Sequence, residues 1–153
     1  MSTRGDFISK IESLPARLEA AVTGATEAQL ARPYKPGGWN ARQVIHHLAD
    51  SHMNAFIRCR LITTEENPGL KPYDQDAWAR LPDSATGPLE PSLAILRGLH
   101  ARWAAFFRAL PEEAWSRQGM HPDDGPRTIA ALLESYCAHG ERHLGHIQAG
   151  IAG

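Results

Sequence analysis

Apolar residues recur with the 3.6-residue period of an α-helix in four long segments, and this periodicity limits the fold more than any other feature of the chain. The segments cover about residues 5–22, 40–66, 89–110 and 128–150. No part of the sequence alternates convincingly between apolar and polar residues with the two-residue period of a half-buried strand. Four long amphipathic helices joined by linkers are typical of a bundle, so the sequence predicts an all-α fold, a four-helix bundle.

Local signals mark where several helices begin and end. Asn40 is a suitable N-cap, and Gln43 stands three residues later, where the partner of a capping box is found. Thr128 is a suitable N-cap for the last helix. Asp74 is predicted to cap a short helix in YDQDAWARL, whereas Pro15 is a potential kink in the first helix. The segment GMHPDDGPR is predicted to form a turn-rich loop or a small hairpin.

Composition and charge exclude several classes of protein. The chain has 153 residues, and we expect residues 1–153 to form a single domain. Its 16 Lys and Arg residues are balanced by 17 Asp and Glu residues, so we expect no nucleic-acid surface. No apolar window of about 18 residues predicts a membrane span. The first residues, MSTRGDFISK, lack a secretory signal, and the two cysteines lack metal-type spacing, so a cytoplasmic location is expected.

The last predicted helix contains three of the eight histidines within SYCAHGERHLGHIQAG. His139 and His143 are four residues apart and therefore share one face of a helix, where two imidazoles can bind one metal ion. Both lie near the apolar stripe of this helix and can face the bundle interior. His146 lies on the outer shoulder and is the weaker candidate. The alternative is a polar helix face on which histidines occur together by chance.

The second predicted helix offers a third imidazole in VIHHLADSHMN. His47 and His52 lie on either side of its apolar stripe, so either could reach the interior, and periodicity does not choose between them. His46 points almost opposite to the stripe and is predicted to face solvent. One of the two interior candidates, together with the pair on the last helix, would give the three imidazoles typical of an open catalytic zinc site.

Two further residues have both a structural and a functional interpretation. His100 falls within the apolar stripe of the third helix, where it is either a hydrogen-bonded core residue or a partner or proton carrier beside the metal. Asp50 could orient an imidazole or act as a base, or it could be a surface carboxylate paired with Arg. His121 lies in a loop before Pro122, and its position relative to the bundle is not predicted.

Three segments resemble the YfiT-like branch of the DinB superfamily: HHLADSHMNAFIRCRLITTEENPGLKPYDQDAW, LRGLHARWAAFF and YCAHGERHLGHI. The resemblance extends from about Trp39 to Ile147. It implies a four-helix bundle of up-down-down-up type that is often a homodimer, and a divalent metal held by three histidines. The second histidine of HHLAD, which is His47, would supply one ligand. The HxxxH pair, which is His139 and His143, would supply the other two.

Members of this branch are described as metal-dependent hydrolases, and some act as bacillithiol transferases. Three neutral imidazoles leave the charge of the ion uncompensated, which lowers the pKa of bound water towards about 7 and favours a thiolate over a thiol. Zinc and nickel both suit imidazole ligands. If the site binds a metal, we expect the protein to lose it as the pH falls through about 6.5, because histidine ligands must be unprotonated.

We therefore predict one divalent metal per chain, zinc or nickel, and an enzyme that transfers a small-molecule thiol such as bacillithiol to an electrophile. Tyr73, Asp74 and His100 are candidates to line the substrate pocket, although Tyr73 could be an ordinary loop residue and Asp74 an N-cap. The alternatives are a hydrolase that uses metal-bound water, a non-catalytic metal- or ligand-binding module, and a helical interaction protein without metal.

Overall fold

The computed structural model describes all 153 residues and is built mainly of α-helices. The four long helices α1, α3, α6 and α7 correspond to the four predicted segments. The helices are α1 (Arg4–Val22), α2 (Glu27–Leu30), α3 (Ala41–Thr64), α4 (Gln75–Ala79), α5 (Pro82–Thr86), α6 (Glu90–Ala109) and α7 (Ile129–Ala152). A 3₁₀ helix (Glu112–Ser116) and a hairpin of β1 (Gln118–His121) and β2 (Gly125–Thr128) lie between α6 and α7.

The predicted helix starts are confirmed by their hydrogen bonds. Asn40 accepts a hydrogen bond from the backbone N–H of Gln43 at 2.8 Å, and the side chain of Gln43 accepts from the backbone N–H of Asn40 at 3.1 Å, completing the capping box. Thr128 caps α7 by accepting a hydrogen bond from Ala131 N–H, and Asp74 caps α4 by accepting one from Ala77 N–H. Pro15 lies inside α1 without ending it.

The four long helices have the up-down-down-up order that the resemblance implied. α1 packs against α6 and α7, and α3 packs against the same two helices. The contacts Glu12–Arg108 and Glu19–Arg97 show that α1 is antiparallel to α6. The contacts His46–Ser92 and His52–His100 show that α3 is parallel to α6. The contacts His52–His139 and Arg58–Tyr136 show that α3 is antiparallel to α7.

A layer of histidines divides the apolar core into two clusters. On α3, His52 separates the apolar residues of one cluster, within 41–49, from those of the other, within 55–62. His100 occupies the same level on α6, where it separates Leu96 from Trp103. His139 and His143 occupy this level on α7. Three helices therefore bring imidazoles to one depth of the bundle, between two apolar regions that exclude water.

The hairpin closes one end of the groove between α3 and α7. Gly125, at the turn, has a φ of 73°, which favours glycine. Met120 on β1 accepts a hydrogen bond from Leu70 N–H and donates one to the Pro68 carbonyl, both at 2.8 Å. The prediction of a loop or a small hairpin is thus resolved as a hairpin, whose four-residue strands are too short to show alternation in the sequence.

The prediction that His46 faces solvent is wrong. Its ring is buried, with Nδ1 2.6 Å from Ser92 Oγ and Nε2 3.1 Å from the Gly87 carbonyl oxygen. The segment formed by α5 and the start of α6 covers this face of α3, and that cover is not visible in the periodicity of α3 alone. No helix of the protein combines the length and apolarity that crossing a bilayer requires.

Candidate metal centre

Three histidines from two antiparallel helices meet in the histidine layer. The ligand atoms of His47 on α3 and of His139 and His143 on α7 all lie within 4.8 Å of one another. The rings of His139 and His143, one helical turn apart, have centroids 4.4 Å apart. The centroid of His47 lies 5.2 Å from that of His139 and 4.9 Å from that of His143. The three rings form a compact cluster of nitrogen donors.

Burial keeps these three rings unprotonated at neutral pH. It lowers the pKa of His47 to about 4, although the nearby carboxylate of Asp76 opposes the shift. It lowers the pKa of His139 to about 3 and that of His143 to about 2, and the repulsion that a protonated ring would meet from the other histidines and from Arg142 adds to both shifts. Neutral imidazoles offer lone pairs to a cation, and they are the nitrogen ligands that suit divalent zinc or nickel. The donor set therefore fits a divalent metal.

His52 lies behind His139 and outside this cluster. Its ring is completely buried, with Nε2 3.1 Å from His139 Nδ1 and Nδ1 2.8 Å from His100 Nε2. The structure thus separates the two candidates on α3 that periodicity left open: His47 faces the other two donors directly, and His52 contacts only the far side of His139. His100 is a buried, hydrogen-bonded residue and lies one ring further from the cluster.

Two aromatic contacts cover the outer side of the cluster. The ring of Trp39 has its centroid 4.7 Å from that of His47 and 6.2 Å from that of His143. His146 lies with Nδ1 3.3 Å from His143 Nδ1, and its ring stacks on Tyr34 at 4.0 Å between centroids. His146 is therefore a neighbour of His143 rather than a member of the cluster. Trp39 was not predicted as a site residue: it lies directly before the N-cap of α3, about two turns before His47, and only the folded structure shows that their rings meet.

Two cavities meet at His139. The larger, about 530 Å³, lies between α3, α7, the hairpin and the loop before α4, and its walls include Tyr73 and Tyr136. The smaller, about 370 Å³, is lined by Trp39, Asp76 and His143 among others. Three residues line both cavities: Gln75, His139 and Arg142. The histidine cluster is thus open to two separate spaces.

The other predicted site residues, Tyr73, Asp74 and Asp50, lie outside the histidine cluster. Tyr73 lines the larger cavity, and burial raises its pKa. Asp74 caps α4 and lines a neighbouring recess with Tyr73, outside the two cavities that meet at His139. Asp50 is half-buried, and burial, with the nearby Asp83, raises its pKa. It forms neither a hydrogen bond to an imidazole nor an ion pair with an arginine.

Three arginines line the larger cavity, and sequence analysis did not find them. Arg58 donates to the Tyr136 hydroxyl at 3.1 Å and to the Lys71 carbonyl at 2.7 Å. Arg127 donates to Ser135 Oγ at 2.6 Å, and Arg142 stands at the boundary with the smaller cavity. None of the three forms an ion pair with a carboxylate. Only the packing of α7 and the hairpin against α3 distinguishes these residues from ordinary surface arginines.

His121 and two aspartates of the hairpin, Asp123 and Asp124, also line the larger cavity. His121 Nδ1 accepts hydrogen bonds from the backbone N–H groups of Asp123 and Asp124, both at 3.2 Å. These contacts hold the turn of the hairpin and leave His121 outside the metal cluster. The lining of the larger cavity therefore includes three arginines and two aspartates.

Comparison with known proteins confirms the resemblance seen in the sequence. The family model of the DinB superfamily matches residues 10–147. A Bacillus subtilis protein named "Putative metal-dependent hydrolase YfiT" is 46% identical over 142 residues, which cover 92% of this chain and 80% of that protein. An Oceanobacillus iheyensis protein with the same type of name is also 46% identical over 142 residues, covering 93% and 82%.

The solved structure of YfiT from Bacillus subtilis matches the fold with a TM-score of 0.93 and 42% identity. The match covers 98% of this chain and 88% of that one. That protein is described as a probable metal-dependent hydrolase with an unusual four-helix bundle topology. These names and the cluster of three histidines together support a metal-dependent enzyme.

Proposed function

The chain belongs to the DinB superfamily, and we propose that it uses a divalent metal to transfer a low-molecular-weight thiol, of the bacillithiol type, to an electrophilic substrate. The observation that carries this proposal is the position of the histidine cluster at the junction of two cavities. A transfer between two small molecules needs a space for each of them, and both spaces must open on the reacting atoms.

His47, His139 and His143 would hold the ion, which we propose to be zinc or nickel, one per chain. When bound, a divalent ion favours the deprotonated form of a thiol or of water. The three ligands carry no charge of their own, so they leave the positive charge of the ion available to a substrate. Trp39, Tyr34 and His146 line the smaller cavity beside the cluster, where Trp39 contacts the ring of His47 and His146 that of His143.

The reactive sulfur comes from the substrate in this proposal. Cys59 is completely buried, and burial raises its pKa to about 12. Neither Cys59 nor Cys137 lines one of the two cavities. The thiol would enter one cavity, lose its proton to solvent and form a carbon–sulfur bond with the electrophile, whose leaving group would depart with the bonding electrons.

The arginines favour a thiol that carries a carboxylate. Arg58, Arg127 and Arg142 direct positive charge into the larger cavity without a carboxylate partner of their own. A planar guanidinium binds a carboxylate through two parallel hydrogen bonds, so these arginines would bind a thiol that carries a carboxylate better than a neutral thiol. The electrophile would then occupy the smaller cavity.

Hydrolysis is the second candidate, and one carboxylate favours it. Asp76 lines the smaller cavity, close enough to His47 for its charge to oppose the lowering of that ring's pKa by burial. A carboxylate in this place could accept a proton from an attacking water molecule. The names of the relatives point in the same direction.

The test uses purified protein loaded with zinc or nickel and mixed with monochlorobimane and a carboxylate-bearing thiol. We expect metal-dependent formation of the fluorescent thioether above the uncatalysed rate, and loss of this excess in His143→Ala. Esters and amides are tested in parallel without thiol. Turnover of those substrates, with no acceleration of thioether formation, would replace transfer by hydrolysis. Neither activity in a protein that holds its metal would leave a binding module.

A further inference from the structure

Three histidines, two of them completely buried, form one hydrogen-bonded chain that begins at the candidate metal centre. His139 Nδ1 lies 3.1 Å from His52 Nε2, and His52 Nδ1 lies 2.8 Å from His100 Nε2. His100 Nδ1 ends the chain 2.5 Å from the backbone carbonyl oxygen of Ile11 on α1. The chain crosses the bundle from α7 through α3 and α6 to α1, and every contact uses a different ring nitrogen.

The carbonyl at the end of this chain decides where each proton lies. A carbonyl oxygen only accepts hydrogen bonds, so His100 Nδ1 must carry a proton and donate it to Ile11. In a neutral imidazole the other nitrogen then has a lone pair, so His100 Nε2 accepts from His52 Nδ1–H. The same reasoning makes His52 Nε2 an acceptor of His139 Nδ1–H. His139 is left with its lone pair on Nε2.

All three rings are neutral in this environment. His52 and His100 are completely buried, and no carboxylate is among the charged groups that act on the three rings. Burial keeps the pKa of His52 well below its usual range and lowers the pKa of His100 to about 4. A charged ring here would lack a counter-ion in an apolar layer.

We infer that His52 and His100 are positioning residues that lock His139 in the tautomer whose Nε2 lone pair faces His47. This inference rests on the proposed metal site, because the exposed lone pair matters only if a cation binds there. Partners of this kind, behind a metal-binding histidine, fix its orientation and tautomer, and their loss typically lowers metal affinity by about 10–100-fold. Here the partner of His139 is a relay of two imidazoles, His52 and His100. The relay ends at the carbonyl oxygen of Ile11, which can only accept a hydrogen bond and therefore fixes the direction of every bond in it.

The chain also assigns the tautomer of His47. His47 Nε2 lies 3.2 Å from His139 Nε2. Since His139 Nε2 is an acceptor, His47 must carry its proton on Nε2 when no metal is bound. To act as a ligand through Nε2, His47 must move that proton to Nδ1. His139 already has a lone pair on Nε2. Metal binding therefore requires a change of tautomer in His47 but not in His139.

The first test is the ¹⁵N NMR signature of the imidazoles in the full-length protein, treated with chelator and then loaded with Zn²⁺. We expect Nδ1–H in His52, His100 and His139 in both states, and a change from Nε2–H to Nδ1–H in His47. A proton on Nε2 of His52, His100 or His139 would overturn the inference. Because the chelator-treated state is measured by itself, a protein that took up no zinc would refute the proposed function without affecting this result.

The second test compares two substitutions at the end of the chain. In His100→Gln the amide can accept from His52 Nδ1–H and donate to the Ile11 carbonyl, as the imidazole does. In His100→Leu the volume is filled without either hydrogen bond. We expect zinc affinity close to wild type in His100→Gln and about 10–100-fold weaker in His100→Leu. Equal zinc affinities in the two variants would show that the relay has no positioning role.

Discussion

His47 Nε2 and His139 Nε2 lie 3.2 Å apart, although the residues are 92 positions apart in the chain. They come from helices that run in opposite directions, α3 and α7. Two unprotonated nitrogens would repel each other at this distance, so one of them must donate a proton or both must share a cation. A bundle that places two nitrogens this way, with a third on the next turn of α7, brings three donors together before any ion binds.

The cluster of three histidines leads first to a prediction about metal content. We expect about one divalent ion per chain in protein purified without chelator, and its loss in His143→Ala, because two imidazoles hold such an ion poorly. Elemental analysis measures the ion. His121→Ala is the matched control: His121 lines the larger cavity but lies outside the cluster, so this variant should keep its metal. Loss in both variants, or in neither, would contradict the assignment of ligands.

The arginines that line the larger cavity lead to a prediction about thiol binding. Arg58→Met removes a positive charge from the cavity wall, whereas Arg60→Met removes one from the same helix outside the cavity, over the ring of Phe56. We expect Arg58→Met to raise the KM for a carboxylate-bearing thiol by about 10-fold, equivalent to one charged hydrogen bond of about 1.5 kcal/mol. The metal content should not change.

The matched comparison is with Arg60→Met and with a thiol that lacks a carboxylate. Neither should show the increase in KM if the charge of Arg58 binds the substrate. An equal increase with both thiols would indicate that Arg58 acts by holding the Tyr136 hydroxyl and the loop at Lys71 in place.

The close packing of α1 on α7 depends on a glycine beside the metal centre. A Cβ atom at Gly140 would lie 2.6 Å from Leu14 Cδ2, and Leu14 is buried in the core. We expect Gly140→Ala to lower the free energy of unfolding by about 1–2 kcal/mol, because overpacking outweighs the gain in helix propensity. At Gly145, on the same helix, a Cβ atom meets nothing within 4 Å, so Gly145→Ala should raise stability by up to about 1 kcal/mol. Urea unfolding measures both changes.

The sequence predicted the parts of this structure that depend on one helix at a time. The four long helices, the Asn40 capping box and the shared face of His139 and His143 all follow from spacing within a segment. What the sequence left open depends on contacts between segments. Periodicity did not choose between His47 and His52 because both lie beside the apolar stripe of α3, and only the position of α7 separates them.

The errors have the same origin. His46 was predicted to face solvent because the sequence of α3 does not show that α5 and the start of α6 cover it. The arginines of the larger cavity look like surface residues until the hairpin is placed against α3. The relay from His139 to Ile11 joins four helices, so no spacing along the chain could have indicated it.

The histidine layer should make the stability of the chelator-treated protein strongly dependent on pH. His47 and His100 have pKa values of about 4 in the folded protein, and His139 and His143 about 3 and 2, against about 6.5 in an unfolded chain. Between these values the unfolded chain binds protons that the folded protein does not, so the free energy of unfolding falls as the pH falls below about 6.5. Each ring adds up to about 1.4 kcal/mol per pH unit, so a domain of ordinary stability should unfold before about pH 4.

Urea unfolding followed by tryptophan fluorescence, at several pH values between about 7.5 and 5, measures this slope.

The zinc-loaded protein should unfold at a lower pH than the chelator-treated protein. It should also lose its metal well below the pH of about 6.5 expected for exposed histidine ligands, because these ligands protonate only near pH 4 or lower. His100→Gln removes one buried imidazole and should reduce the slope by about 1.4 kcal/mol per pH unit. A free energy of unfolding that stays constant between about pH 6.5 and 5 would show that the buried rings are not held neutral by the fold.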